Sequence, residues 1–350
     1  MGWVDSTRPP RRVSLLTGEL GGVCSSAPPS VDVERVLLAC NIPILVASGE
    51  AHLGKCSPEP TTIGGRGVRG APARHCPRPR CHPHSTTVTR VEESGGLLPQ
   101  VAARLRATGC VFAEDEARIL VGVAPDPGTL EQLVRRRVGG EPLEYIVGAA
   151  EFGGLMVTVL PGVFVPRQRS LLLVEVAAGG APPNSVVVDL CCGSGALAAL
   201  YAARHPDAEV VAADIDPVAA ECARINLSGR GEVVRGDLFD PLPAQLRGRV
   251  NVLMCNVPYV PTAAIAAMPP EARDFEPAAT LDGGPDGLDL MREVVAQAPG
   301  WLARDGRLVM EVSAAQIDSA RGVFTRAGLS PSVHTDAERG ATVVAGVRTV

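Results

Sequence analysis

Aromatic residues make up only 3% of the 350-residue chain, and a single lysine, Lys55, stands among its 33 basic residues. The first scarcity leaves few rings to pack, so a core must come from the Ala, Val and Leu that dominate the 46% hydrophobic share. The second, beside abundant Arg, Ala, Gly, Val and Pro, is the imprint of GC-rich coding DNA, which explains much of the composition without function. No apolar run reaches the roughly 18 to 20 residues of a membrane span; the best early stretch, 36–47, is broken by Asn41 and Pro43. The net charge of −5 lacks the basic excess of a protein that grips nucleic acid by bulk electrostatics. Glu19 interrupts the apolar core that a signal peptide needs, so the expected location is cytoplasmic. In that compartment the ten cysteines are expected to be reduced thiols: Cys191 and Cys192 are adjacent, and Cys110, Cys222 and Cys255 lie in apolar stretches.

Residues 1–86 differ from the rest. They hold 11 of the 31 prolines, five of the ten cysteines and four of the six histidines, with no sustained helical or strand period. The expectation is a disordered extension, or upstream DNA translated from a start codon placed too early. His75, Cys76, Cys81, His82 and His84 offer one four-residue cysteine spacing and no second pair, so no metal site is expected.

From Leu97 the pattern turns helical. Leu98, Val101, Ala102 and Leu105 share a face closed by Gly109, 114–121 makes a second helix, and a third runs from Thr129 as N-cap to Gly139-Gly140. Residues 87–148 thus read as a small helical bundle, in which the basic run Arg135-Arg136-Arg137 is expected on a solvated face. In 149–168 the period becomes two at Leu155, Val157 and Val159. Pro161-Gly162 and the short run 163–165 follow, predicting a β-hairpin linker between domains. Over 169–350 apolar strands and helices alternate. The fold class is α/β: a doubly wound, seven-stranded Rossmann-like sheet preceded by the bundle and the hairpin, with a terminal antiparallel pair near 330–334 and 341–347.

Ligands of such sheets bind beyond the carboxyl ends of the strands, so three loops stand out. Asp189-Leu190-Cys191-Cys192-Gly193-Ser194-Gly195 is a glycine-rich strand-to-helix turn that lets backbone approach a ligand, though such turns also serve purely structural roles. Asp214 ends the next strand, placed to accept hydrogen bonds from ribose hydroxyls, whereas Asp216 before Pro217 suits a helix cap. Asn256-Val257-Pro258-Tyr259 follows the fourth strand. An amide oxygen, a backbone carbonyl and a ring are what a site needs to hold a planar NH2-bearing group.

With these loops, the chain over about residues 95–348 resembles the class I S-adenosylmethionine-dependent methyltransferases. More narrowly it is similar to the HemK/PrmC family, which methylates a glutamine side-chain nitrogen in peptide release factors. The strings 140–148 (GEPLEYIVG), 151–155 (EFGGL), 161–167 (PGVFVPR) and 283–289 (GGPDGLD) carry that narrower likeness. The resemblance implies that Asp189, Cys191, Cys192, Gly193, Ser194 and Gly195 surround the methionine part of the cofactor and Asp214 its ribose. It places Asp237 and Leu238 by the adenine, and assigns catalysis to Asn256, Val257, Pro258 and Tyr259. It further implies a protein substrate, a release factor, met by a monomer without a membrane. Three departures stand out: the family usually has Gly at Cys191, Pro at Val257, and Pro-acid-Thr-Glu at Gln168-Arg169-Ser170-Leu171. Cys191 is expected to keep the loop if its φ is negative. The rival readings are an adenine-N6 methyltransferase acting on RNA or DNA by base flipping, and a non-catalytic cofactor-binding protein. The −9 charge that remains after residues 1–86 (+4) are set aside disfavours the first, and intact Asn256, Pro258 and Tyr259 disfavour the second.

Overall fold

The computed structural model describes residues 90–349, so the expectations for residues 1–86 lie outside the described residues. Four helices come first: α1 (Arg90–Ala107), α2 (Ala113–Val123), α3 (Pro127–Val138) and the short α4 (Leu143–Val147). The inward stripe of this bundle is the one its period predicts, with Val101, Leu105, Ala117, Leu120, Leu130 and Val134 all buried. The cap of α3 differs from the sequence expectation. Asp126 rather than Thr129 is the N-cap and accepts from the Thr129 backbone N–H at 2.9 Å, because Pro127 occupies the first helical position and hands the capping role to the residue before it.

The basic run is also corrected. Only Arg135 is fully solvated, at 73% exposure. Arg136 pairs with Glu141, and Arg137, 11% exposed, lies against Glu116 on α2 and reaches Glu271 at 3.2 Å. Successive helical residues turn by about 100°, so three arginines in a row cannot share one solvated face.

The linker hairpin is shorter than the alternation suggested. Strand β1 (Ala149–Phe152) pairs with β2 (Leu155–Thr158) around the two-residue turn Gly153-Gly154, whose φ values of 60° and 89° suit such a hairpin. Residues 163–165 form no strand. Val163 and Val165 are buried, the Tyr145 hydroxyl donates to the Val163 carbonyl at 2.7 Å, and Val163 packs with Ala219 and Cys222, so Pro161-Gly162 turns this segment in between α4 and Pro217–Leu227.

The seven strands are β3 (Val186–Leu190), β4 (Glu209–Asp214), β5 (Glu232–Arg235), β6 (Val250–Cys255), β7 (Leu302–Glu311), β8 (Leu329–Asp336) and β9 (Ala341–Arg348), in the order β5-β4-β3-β6-β7-β9-β8. The first five are parallel, while β9 is antiparallel to both of its neighbours. All five residues of β3 are buried, as a central parallel strand covered on both faces requires. Val187 enters the core on one face with Leu173 and Tyr201, and Val188 enters the other with Leu253 and Met291. The covering helices are α5 (Leu171–Ala178), α6 (Ala196–Arg204), α7 (Pro217–Leu227), α9 (Asp289–Gln297) and α10 (Ile317–Arg326), with the short α8 (Pro270–Phe275) in the insertion after β6. Helix α9 stops at Gln297 because Pro299 lies just beyond, and β7 starts at Leu302, five residues earlier than its hydropathy suggested.

Candidate functional site

The switch point falls between β3 and β6, where the connections to β4 and to β7 leave in opposite directions and open a crevice at the carboxyl edge. A cavity of about 430 Å³ lies there. Its lining draws on the loops after β3, β4 and β6, the segment 162–170 and the insertion after β6.

In the first loop the chain leaves β3 through Cys191, whose φ is +53°, so the negative φ on which its fit was made to depend is not met and the loop is kept nonetheless. The turn needs the left-handed region at this position, so a cysteine there costs about 1 kcal/mol that glycine would not. Gly195, at φ +72°, has a different reason to be glycine: an added Cβ would stand 2.8 Å from the Ala223 Cβ, so α6 and α7 could not approach as closely. At Gly193 an added Cβ would meet nothing within 4 Å, which leaves bare backbone facing the open cavity.

Asp189 lies wholly buried beneath this loop. Its Oδ2 accepts from the Ala198 backbone N–H at 3.1 Å, while Oδ1 has no partner. Burial pushes its carboxyl up to about 8. A raised folded-state value for an acid means that the fold binds a proton which the unfolded chain releases near its ordinary 3.8, so this group's contribution to stability falls as pH rises from about 4 to about 8. Asp189→Asn is therefore expected to melt like the parent near pH 4 and several degrees higher at pH 8. Melting curves without cofactor test this, and a gap that does not grow with pH would refute it.

Asp214 closes β4 and lines the cavity. Its Oδ2 accepts from the Gly193 backbone N–H at 2.8 Å and its Oδ1 from that of Asp216 at 2.9 Å, which fixes the carboxylate plane while each oxygen keeps lone-pair capacity. Burial raises its pKa, opposed by those two hydrogen bonds. Asp216 caps α7 as expected, accepting from Val218 and Ala219. Asp214→Ala is expected to weaken a hydroxyl-bearing ligand by about 1.5 to 3 kcal/mol, the worth of a charged acceptor. Calorimetry reads this directly, and unchanged affinity would place the ribose elsewhere.

Beyond β6, Asn256, Val257, Pro258 and Tyr259 all line the same cavity. The Tyr259 hydroxyl donates to Glu311 Oε1 at 2.6 Å. Arg169 Nε donates to the same oxygen at 2.8 Å, and the guanidinium carbon lies 5.9 Å from the centre of the Tyr259 ring. The Ser170 hydroxyl donates to Glu311 Oε2 at 2.6 Å, and Asn256 Nδ2 donates to Ser170 Oγ at 3.4 Å. The string from Gly283 to Gly287 supports this loop from behind. Gly283 N donates to Val260 O at 2.9 Å, and Gln316 Nε2 joins Tyr259 O to Asp286 O, each at 2.9 Å.

Among the residues expected at the site, Cys191, Cys192, Gly193, Ser194, Asp214 and Asn256 to Tyr259 line the cavity; Asp189 sits beneath the loop, and Gly195, Asp237 and Leu238 are not among the lining residues. Sequence reasoning missed Glu311, Glu276 and Asn226. Glu311 carried a usable signal, as the one acid in the apolar run 308–312 at a strand's carboxyl end. Glu276 has a fully buried side chain bonded to Arg167, with its Oε2 unpartnered. Asn226 accepts from Thr158 N and donates to Thr158 O and Ser194 O, so it ties the hairpin to the glycine-rich loop. Among the described residues no cluster could hold a metal ion, and no helix is long and apolar enough to cross a membrane.

Residues 154–268 match the family model for the methyltransferase small domain. A release factor glutamine methyltransferase of Geobacter sulfurreducens is 41% identical over 199 residues, covering 56% of this chain and 69% of that one. The protein of that name from Mycolicibacterium smegmatis is 40% identical over 224 residues, 62% of this chain and 79% of the relative. The one from Moorella thermoacetica is 36% identical over 257 residues, 66% of this chain and 89% of the relative.

Proposed function

Given that the chain belongs to the family of release factor glutamine methyltransferases, we propose that Asn256, Val257, Pro258 and Tyr259 hold the side-chain amide of a glutamine in a peptide chain release factor for methylation at N5. The enzyme is an S-adenosylmethionine-dependent methyltransferase. That cofactor supplies a methyl group already activated on a sulfonium sulfur, so no covalent enzyme intermediate is needed.

The cavity fits such a group. It has the size of a small-molecule site, bare backbone at Gly193 where a cofactor tail can lie close, and a fixed carboxylate at Asp214 for vicinal hydroxyls. Asp189 would support the loop from below, and Asp237 with Leu238 would lie toward the adenine end. The observation that carries the reading is that Asn256 to Tyr259 line the same cavity as Gly193 and Asp214, so a loop suited to an amide and loops suited to a nucleoside share one space.

The residues then have one task, alignment. An amide nitrogen is a poor nucleophile because its lone pair is delocalised into the carbonyl. The Asn256 oxygen takes one N–H and the Val257 carbonyl the other, which favours a more pyramidal nitrogen and stabilises the positive charge that develops there. The Tyr259 ring, held by its hydroxyl on Glu311, keeps the amide plane at the right tilt. The proton leaves toward these acceptors and on to water. The bundle α1 to α3 is the surface proposed to meet the protein substrate. The test is transfer of labelled methyl from S-adenosylmethionine to a purified bacterial release factor, with the labelled residue located by mass spectrometry. N5-methylglutamine is the expected product; label that stays in nucleic acid and is lost to nuclease would overturn it.

A further inference from the structure

We propose that Ser170 and Glu311 act as positioning residues that fix which atom of the Asn256 carboxamide faces the substrate, an inference that rests on the assignment of Asn256 as the amide acceptor. A carboxamide has nearly the same shape in either orientation, so shape alone does not decide whether oxygen or NH2 points into the cavity. A wrong orientation would present donors to donors.

The surrounding groups remove that ambiguity through a sequence of donors with one sense. Glu311 is buried at 2% exposure, and Arg169 Nε and the Tyr259 hydroxyl both donate to its Oε1, so it serves here as an acceptor. The Ser170 hydroxyl has one proton and gives it to Glu311 Oε2 at 2.6 Å. What Ser170 turns toward Asn256 is therefore a lone pair, and only the NH2 end of the carboxamide can bond to a lone pair. Asn256 Oδ1 is left for the cavity, where it accepts the substrate N–H. Glu311 also receives the Tyr259 hydroxyl, so one carboxylate orients both walls of the amide slot. Neither Glu311 nor Ser170 needs to touch the reacting atoms.

The geometry predicts a signature that a merely structural role would not give. Ser170→Ala is expected to lower kcat about tenfold or more, with cofactor affinity by calorimetry within about twofold. Ser170→Thr, which keeps a hydroxyl proton to donate and a lone pair to receive, is expected to recover most of that loss. In an Asn256→Ala background Ser170→Ala should cost nothing further, because the group it orients is gone. Methyl transfer to a purified bacterial release factor is the assay. The parent enzyme is assayed first, so that an inactive parent counts against the glutamine reading and not against this one. A parental kcat in Ser170→Ala, or a loss that adds in full to that of Asn256→Ala, overturns the proposal. Should Ser170→Ala not bind cofactor, the isosteric Glu311→Gln carries the same cycle. Its NH2 can donate to Ser170 and reverse the sense of the chain, so a parental kcat there, or full additivity with Asn256→Ala, overturns the proposal equally.

Discussion

Asn256→Ala is expected to lower kcat for methyl transfer by about 100- to 1,000-fold, the range seen when one preorganised group facing developing charge is removed. Cofactor affinity should stay within about threefold, since the residues proposed to hold that ligand, Gly193 and Asp214, belong to the loops after β3 and β4 and not to the one after β6. The two readouts separate because the acceptor is used most as the nitrogen gains positive charge, so its removal costs transition-state binding more than ground-state binding. The site needs no rebuilding in this variant, because Ser170 keeps its bond to Glu311. Single-turnover transfer and calorimetry with the intact chain decide the matter. A kcat within threefold of the parent would remove Asn256 from the mechanism.

Gly287→Ala is the second large effect, and it acts through backbone alone. An added Cβ would lie 2.3 Å from the Tyr259 carbonyl oxygen and 2.4 Å from Gln316 Nε2, at a φ of +76° that already disfavours any side chain. One of these groups must move, and both belong to the contact that holds the Asn256 to Tyr259 loop in place. A loss of about 2 to 4 kcal/mol follows, from steric overlap added to backbone strain. In a domain of this size that is a drop of roughly 5 to 12 °C in Tm, with turnover falling more than stability. Gly154→Ala makes the matched control. Its φ of +89° carries the same backbone penalty, but nothing lies within 4 Å of the added carbon. Its loss should stop near 1 kcal/mol. Equal melting temperatures for the two variants would show that the overlap is relieved at no cost.

The parallel half of the sheet was legible because strands covered on both faces carry continuous apolar runs, as β3 does over 186–188, β4 over 210–213 and β6 over 252–255. The loops proposed to hold cofactor and substrate were legible for a related reason: polar residues placed directly after such strands have nowhere to be but the carboxyl edge. Glu311 stayed hidden in its role, although visible as an odd residue, because its partner Ser170 stands 141 residues away and no local pattern announces such a pairing. The same holds for Asn226 and Thr158, 68 residues apart. At Cys191 the sequence identified φ as the deciding quantity but not its sign, and the turn demanded the left-handed region. Residues 163–165 were β-formers by composition, yet the turn at Gly153-Gly154 had already supplied β2 with its partner, β1. The final antiparallel pair was expected. That β9 rather than β8 would dock on β7 was not, because register depends on which strand buries both faces, and β9 is the more buried of the two.

Arg137 links three parts of the molecule that are far apart in sequence. It belongs to α3, its main partner Glu116 to α2, and Glu271 to the insertion that follows the Asn256 loop. The helical bundle and the insertion that lines the cavity are therefore joined along the chain through the hairpin and also across space through this guanidinium. A boundary drawn at residue 148 cuts only the first connection. The bundle is thus not a portable cassette. A chimera that replaces residues 90–148 with those of a relative must also exchange 270–276, or it will strand Glu271 against an unmatched neighbour and loosen the bundle from the insertion beside the cavity.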